Sequence, residues 1–171
     1  MVARLDRRIT VRPGRAEDEA GLARLDAASW TPASGFPSVM ERSHDPFFSF
    51  FTEDSPPLAH LVAELDGRLA GYLRLRPVTK LPESAHVLGV AGLAVAPGDR
   101  RRGVASALLA AAEQHARARG ARKLSLRVLG TNAPAMQLYE GVGFRKEGVL
   151  RDEFRIGGRY VDDVIMAKHL V

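Results

Sequence analysis

The sequence predicts one α+β domain, and three features carry that expectation. Two pairs of apolar runs are joined by tight-turn dipeptides, Asp66-Gly67 and Gly157-Gly158, and each pair reads as a hairpin. The clearest helix of the chain, Arg102 to Arg119, lies between two further apolar runs, so a strand–helix–strand unit occupies the second half. A length of 171 residues suits a single domain spanning 1–171 that buries a full core.

Taken in order, Arg8 to Arg12 alternates as a short first strand, with Ile9 and Val11 on one side. Ala16 to Trp30 reads as a helix with Leu22, Leu25 and Ala28 on one stripe, broken by Thr31-Pro32 and Gly35-Phe36-Pro37. Ser38 to Thr52 reads as a second, less regular helix whose rings Phe47, Phe48, Phe50 and Phe51 cover more than one face. Leu58 to Leu65 and Arg68 to Val78 are the strands of the first hairpin, and Lys80 to Ser84 is a polar loop. His86 to Ala96 is almost continuously apolar and reads as a central strand, in which Gly89 and Gly92 suggest a bulge or a close approach by another backbone. After the long helix, which Gly120 stops, Lys123 to Leu129 is a strand. Asn132 caps a helix running to Tyr139 that Gly141 and Gly143 close. Phe144 to Phe154 and Arg159 to Leu170 form the second hairpin.

Composition removes several classes of function. The chain has no cysteine, hence no thiol nucleophile, disulfide or cysteine-held metal. His44, His60, His115 and His169 show no paired ligand spacing, so no metal is expected. Arg4, Arg7 and Arg8 precede no apolar stretch, and no run approaches the ~18 apolar residues of a spanning helix, so neither a secretory signal nor a membrane is expected. The expected compartment is the cytoplasm. The net charge of +5 is spread along the chain apart from Arg100, Arg101 and Arg102. No aromatic residues interleave with that cluster as a single-strand stacking platform requires, so nucleic acid is not the expected partner.

The informative segment runs from Leu93 to Leu109: an apolar strand, Pro97, an arginine-rich turn, and a helix that begins at once. Such a turn leaves main-chain N–H groups unpaired at the positive end of a helix dipole, which suits a diphosphate. Gly103 and Ala105 keep side chains small there, and the arginines can add charged contacts at the rim. Neither the Gly-Lys-Ser/Thr ending of a P-loop nor a three-glycine dinucleotide fingerprint is present. A tight strand-to-helix turn with a basic surface would leave the same pattern.

Arg100-x-x-Gly103-x-Ala105 resembles the acyl-CoA loop of the GCN5-related N-acetyltransferase (GNAT) superfamily, Gln/Arg-x-x-Gly-x-Gly/Ala. Asn132-Ala-Pro-Ala-Met-Gln-Leu-Tyr139, followed by Gly143-Phe144, resembles the second signature of that family, and Gly148, Gly158, Tyr160 and Asp162 are similar to its small-amine and amino-acid branch. The resemblance implies a mixed, mostly antiparallel seven-stranded sheet, splayed at its centre and flanked by about four helices. It implies acetyl-CoA as co-substrate. On these positions, Leu93, Ala94 and Val95 would pair with the pantetheine arm, and Arg100, Arg101, Arg102, Gly103, Val104, Ala105 and Ser106 would hold the diphosphate. Asn132 and Ala135 would flank the arm, and Tyr139 would lie near the sulfur as general acid.

The implied reaction is direct transfer of acetyl to a primary amine of a small molecule: an amino acid, a polyamine or a drug-like amine. A protein N-terminal or lysine amine, and a CoA-binding sensor without turnover, remain alternatives. Tyr139 also reads as a packed helix tyrosine. No carboxylate lies in His86 to Ala96, so the general base stays unassigned between His86 and a water chain. Leu126-Arg127-Val128 departs from the Leu-Glu-Val that relatives carry before the asparagine. The Phe47–Phe51 rings belong to the core or to a cleft wall that favours an apolar amine. A homodimer is compatible with the resemblance.

Overall fold

A computed structural model describes residues 8–43, 45 and 47–170; Arg4, Arg7 and His44 lie outside it. The strands are β1 (Ile9–Pro13), β2 (His60–Leu65), β3 (Arg68–Pro77), β4 (Val87–Val95), β5 (Lys123–Leu129), β6 (Arg145–Ile156) and β7 (Arg159–His169). The helices are α1 (Glu19–Ser29), α2 (Pro37–Ser43), α3 (Val104–Ala118) and α4 (Ala133–Gly141). The strands form one seven-stranded sheet in the order β1-β2-β3-β4-β5-β7-β6. Every pairing is antiparallel except β4 with β5.

That parallel pair is short. It runs only from Val87↔Lys123 to Val90↔Leu126, and past this point β4 and β5 diverge. β4 stays on β3 as far as Gly71↔Val95, while β5 stays on β7 as far as Leu129↔Asp163. The register of β3 slips between Arg74 and Leu75, which leaves Ala91 unmatched where the sheet opens. A bulge of this kind bends its strand and sharpens the local twist, which is what a splay requires. It falls between Gly89 and Gly92, the first of the two readings those glycines allowed.

Two apolar cores lie on the sheet. The larger is built on Leu108, Leu109 and Ala112 of α3 and on Tyr139 and Phe144, against Leu73, Leu124 and Met166. The smaller has Leu22 and Leu25 of α1 against Val62, Tyr72 and Ala94. Each fully buried leucine contributes roughly 1.5–3 kcal/mol by burial. Arg12 clamps the two halves of this face, donating 2.8 Å bonds to both oxygens of Asp18 and to Glu64.

Asp66 and Gly67 both take positive φ, 53° and 78°, as the type I′ hairpin requires. The expected helix from Ser38 to Thr52 is instead the seven-residue α2 followed by irregular chain. The cause is tertiary: the Glu19 carboxylate takes the N–H groups of Phe50 (2.5 Å) and Phe51 (3.0 Å), which a helix would have used internally. The first helix likewise opens as a 3-10 turn over Ala16–Asp18, and α3 starts two residues after Arg102.

Candidate functional site

The gap between β4 and β5 is the centre of a cleft of ≈ 1260 Å³. Pockets for one drug-sized ligand hold ~300–1,000 Å³, so this volume accommodates two reactants together.

One wall is the open edge of β4. The Ala96 N–H donates to the Ala70 carbonyl at 2.8 Å, which makes Ala70/Ala96 a hydrogen-bonded pair. By antiparallel alternation, the main-chain groups of Ala94 and Gly92 also point to β3, and those of Val95 and Leu93 point away, into the gap. Ala94 therefore spends its main chain on Tyr72 and its side chain in the smaller core, unlike its two neighbours.

The turn that follows forms the second wall. Asp99 is buried and accepts from Arg68 (3.2 Å) and Arg102 (3.3 Å), which pins the turn to β3. Arg101 at φ 60° and Gly103 at φ 89° then aim successive amides the same way. No main-chain N–H from Arg100 to Ser106 has a well-formed acceptor among the described residues, and no side chain caps α3. An orphaned run of donors at a helix N-terminus fits an anion such as a diphosphate. Past Val90 no described strand pairs with the β4 edge, although the Val95 carbonyl takes long bonds from Arg100 and Ser29. That edge fits an amide-bearing arm lying as an extra strand, so the residues present fit the chemistry of acetyl-CoA.

The arginines divide differently from the expectation of a basic rim. Arg100 donates to the Ser29 carbonyl at 2.7 Å and to Val95 at 3.4 Å, bracing the end of α1 against β4. Arg102 is turned to Asp99 and does not line the cleft. Arg101 lines it, and its guanidinium has no partner among the described residues.

On the far side of the gap, Asn132 caps α4, its side chain accepting from the Ala135 N–H at 3.3 Å and its amide nitrogen without a partner among the described residues. Tyr139 lines the cleft, is 9 % exposed, and packs its ring 5.8 Å from that of Phe144. Burial pushes its hydroxyl up to about 12, so it stays protonated at neutral pH. The hydroxyl has no hydrogen-bond partner among the described residues, which leaves a proton donor beside the gap.

The opposite end of the cleft was not legible as a site. Trp30, Phe36, Val39 and Phe154 wall it. Phe36 meets Phe154 edge-on at 4.8 Å, and the Thr131 hydroxyl donates to the Ala33 carbonyl at 3.2 Å, so the segment after α1 bridges the gap to β6 and to the β5–α4 loop. Trp30 is held by its indole N–H on Asp26 (2.7 Å), which also takes the Tyr72 hydroxyl at 2.5 Å. The Phe47–Phe51 rings, expected at core or wall, do not line the cleft. Phe50 and Phe51 pack around His60, and Phe47 is 93 % exposed. His86, a candidate base, is exposed at the start of β4 and also lies outside the cleft. Asp163, overlooked in sequence, lines it and is buried. Two adjacent carboxylates, Asp162 and Asp163, inside the otherwise apolar run Val161–Ala167 were the available signal.

Comparison with known proteins bears on this geometry. The profile of the acetyltransferase (GNAT) family matches residues 22–144. L-amino acid N-acetyltransferase AaaT of Escherichia coli (strain K12) is 34% identical over 116 residues, 67% of this chain and 70% of that protein. A Bacillus subtilis (strain 168) protein named for ribosomal protein bS18-alanine N-acetylation is 30% identical over 157 residues, 91% of this chain and 92% of its own. The fold matches that of yncA from Salmonella typhimurium, solved with its cofactor acetyl-CoA, at a TM-score of 0.75, 18% identity and coverage of 96% and 95% of the two chains. The chain belongs to the acetyltransferase (GNAT) family and is an acetyl-CoA-dependent N-acetyltransferase.

Proposed function

We propose that the protein moves the acetyl group of acetyl-CoA to the primary amine of a small molecule: an amino acid, a polyamine or a drug-like amine. The observation that carries this reading is the bridge from Phe36 to Phe154 and from Thr131 to Ala33, which supports a walled small-amine pocket over an open peptide groove. The similarity to an L-amino acid N-acetyltransferase supports it. The similarity to the bS18-alanine protein favours a peptide N-terminus as the second reading. A cytoplasmic location and a single domain over residues 1–171 belong to the same proposal; both cores resting on one sheet support the latter.

Acetyl-CoA supplies the acetyl group as an activated thioester. In this reading the amides of residues 101–106 hold the diphosphate, and the β4 edge at Leu93 and Val95 holds the arm, with the Asn132 amide beside it. Holding both reactants in one walled cleft replaces an encounter with a positioned pair. The amine nitrogen forms a bond to the carbonyl carbon, the carbon–sulfur bond breaks, and the amine loses one proton to water. Tyr139 gives its proton to the departing sulfur and regains one from solvent. Main-chain donors at the Ala91 bulge are those available to the carbonyl oxygen as charge grows there, and one such donor is worth about 3 kcal/mol. No covalent enzyme adduct is needed, in keeping with the absence of cysteine.

The test is acetyl-CoA consumption over a panel of the L-amino acids, putrescine, spermidine, phenethylamine and alanine-led tripeptides. Turnover of small amines above the tripeptides is expected; preference for the tripeptides would replace this reading with the second.

A further inference from the structure

Asp163 sits on β7 opposite Leu129 of β5 and Leu150 of β6, beyond the last β4–β5 rung at Leu126. It is 2 % exposed yet lines the cleft. Burying a carboxylate is unfavourable unless both its oxygens are answered. Here the answer is one-sided. Arg127 directs both its Nε and its Nη2 to Oδ2 of Asp163. Oδ1 has no partner among the described residues. Arginine–carboxylate pairs frequently fork across both oxygens, and this one does not. Arg127 is itself half exposed and also tied to Glu153 at 3.4 Å, so the pair is anchored from its exposed side while Asp163 lines the cleft.

The surroundings narrow what that oxygen can receive. Of the carboxylates lining the cleft among the described residues, the other is Asp99, which is committed to Arg68 and Arg102 in the phosphate-side turn. Arg127 lines the same cleft and spends its Nε and Nη2 on Oδ2; Ile165 and Phe154, which also line it, offer no hydrogen-bond donor from their side chains. A fixed carboxylate oxygen that its arginine leaves unbonded, beside apolar side chains such as Ile165 and Phe154, favours an N–H-bearing head group.

We propose that Asp163 is the residue that holds the amino group of the acceptor, with Arg127 as the positioning residue that fixes its rotamer. Oδ1 accepts an N–H of the amine and so orients the nitrogen toward the gap. It also favours the positive charge that the nitrogen acquires as its bond to carbon forms. This assignment deepens the acetyl-transfer reading and rests on it.

The experiment compares wild type, Asp163→Asn, Arg127→Gln and, as a neighbouring control, Asp162→Asn, using the fastest amine of the panel. Acetyl-CoA binding is measured by calorimetry beside steady-state kinetics. Asp163→Asn is expected to keep acetyl-CoA affinity within twofold while acceptor KM rises at least tenfold and kcat/KM falls about a hundredfold. Arg127→Gln, at a half-exposed site, should raise acceptor KM several-fold with cofactor binding intact, and Asp162→Asn should change neither. Unchanged acceptor KM in Asp163→Asn overturns the proposal. So does a parallel loss of cofactor affinity, which marks a structural ion pair. Should Asp163→Asn fail to fold, the Arg127→Gln result decides by the same criterion. Wild-type protein that binds no acetyl-CoA would instead overturn the acetyl-transfer reading, and this assignment with it.

Discussion

Val90 and Leu126 are the last residues of β4 and β5 to face each other across the parallel ladder; three positions on, Leu93 and Leu129 line one cleft without being paired to each other. The opening is therefore a property of two strands that each follow their outer neighbour, β4 following β3 and β5 following β7. Past Val90 no described strand pairs with that edge of β4, which is what the proposed site needs.

The phosphate-side turn depends on Gly103, whose φ of 89° an L side chain rarely adopts. Gly103→Val should cost roughly 1–2 kcal/mol of stability through that backbone strain. Its effect on acetyl-CoA affinity should be larger, at least tenfold, because the branched side chain stands among the orphaned amides. Calorimetric binding and thermal unfolding separate the two. In wild type, acetyl-CoA at ~100 times its Kd should add ~2.7 kcal/mol to folding stability, and the absence of any rise in Tm would count against the site.

Tyr139→Phe should lower kcat about a hundredfold and leave acetyl-CoA affinity within twofold, as measured by steady-state kinetics and calorimetry. Unchanged turnover would remove the residue from the acid role. The same variant has a signature in alkali. Burial raises the folded pKa of Tyr139 from 10.0 to about 12, so its contribution to stability is complete below pH 10 and is lost as pH climbs through 12. That contribution is at most ~2.7 kcal/mol. Denaturant melts between pH 9.5 and 11.5 should show a shallower decline in the variant. The decline should not vanish, because Tyr72, also buried and raised beside Asp26, titrates in alkali as well.

Phe36→Ala removes the edge contact with Phe154 that closes the acceptor end. The lost ring pair is worth ~0.5–1.5 kcal/mol beyond its burial. Small-amine KM should rise several-fold, and turnover of tripeptides relative to small amines should increase. A competition assay with one amine and one tripeptide measures the shift directly.

His60 is 2 % exposed, with its ring on the Pro56 carbonyl at 3.0 Å, and burial lowers its pKa below 6.5. The unfolded chain binds the proton more readily, so this contribution is present above pH 6.5 and is lost as pH falls below it. His60→Gln should make the loss of stability between pH 7 and pH 5 shallower, read from denaturation midpoints at the two pH values. An identical pH slope in the variant would show that carboxylates alone account for acid sensitivity.

Much of this was written locally. The hairpin at Asp66-Gly67, the Asn132 cap, the stop at Gly120 and the strand from Lys123 to Leu129 each depend on a few consecutive residues, and the structure places them where pattern and turn chemistry said. The loop from Arg100 to Ser106 was legible for the same reason: unpaired amides at a helix start follow from backbone geometry. Less legible was the second helix, because Glu19 reaches across about thirty residues to take the amides of Phe50 and Phe51.

By itself the sequence determined the α+β order, the phosphate-side turn, the cap at Asn132 and the presence of a tyrosine seven residues after it, since these rest on periodicity, capping and main-chain conformation over short spans. Tertiary structure alone decided which arginines are committed to partners, which rings wall the cleft, and that Asp163 meets Arg127 from 36 positions away. Those outcomes turn on long-range partners competing for the same donors and acceptors, and no local pattern records which competitor wins.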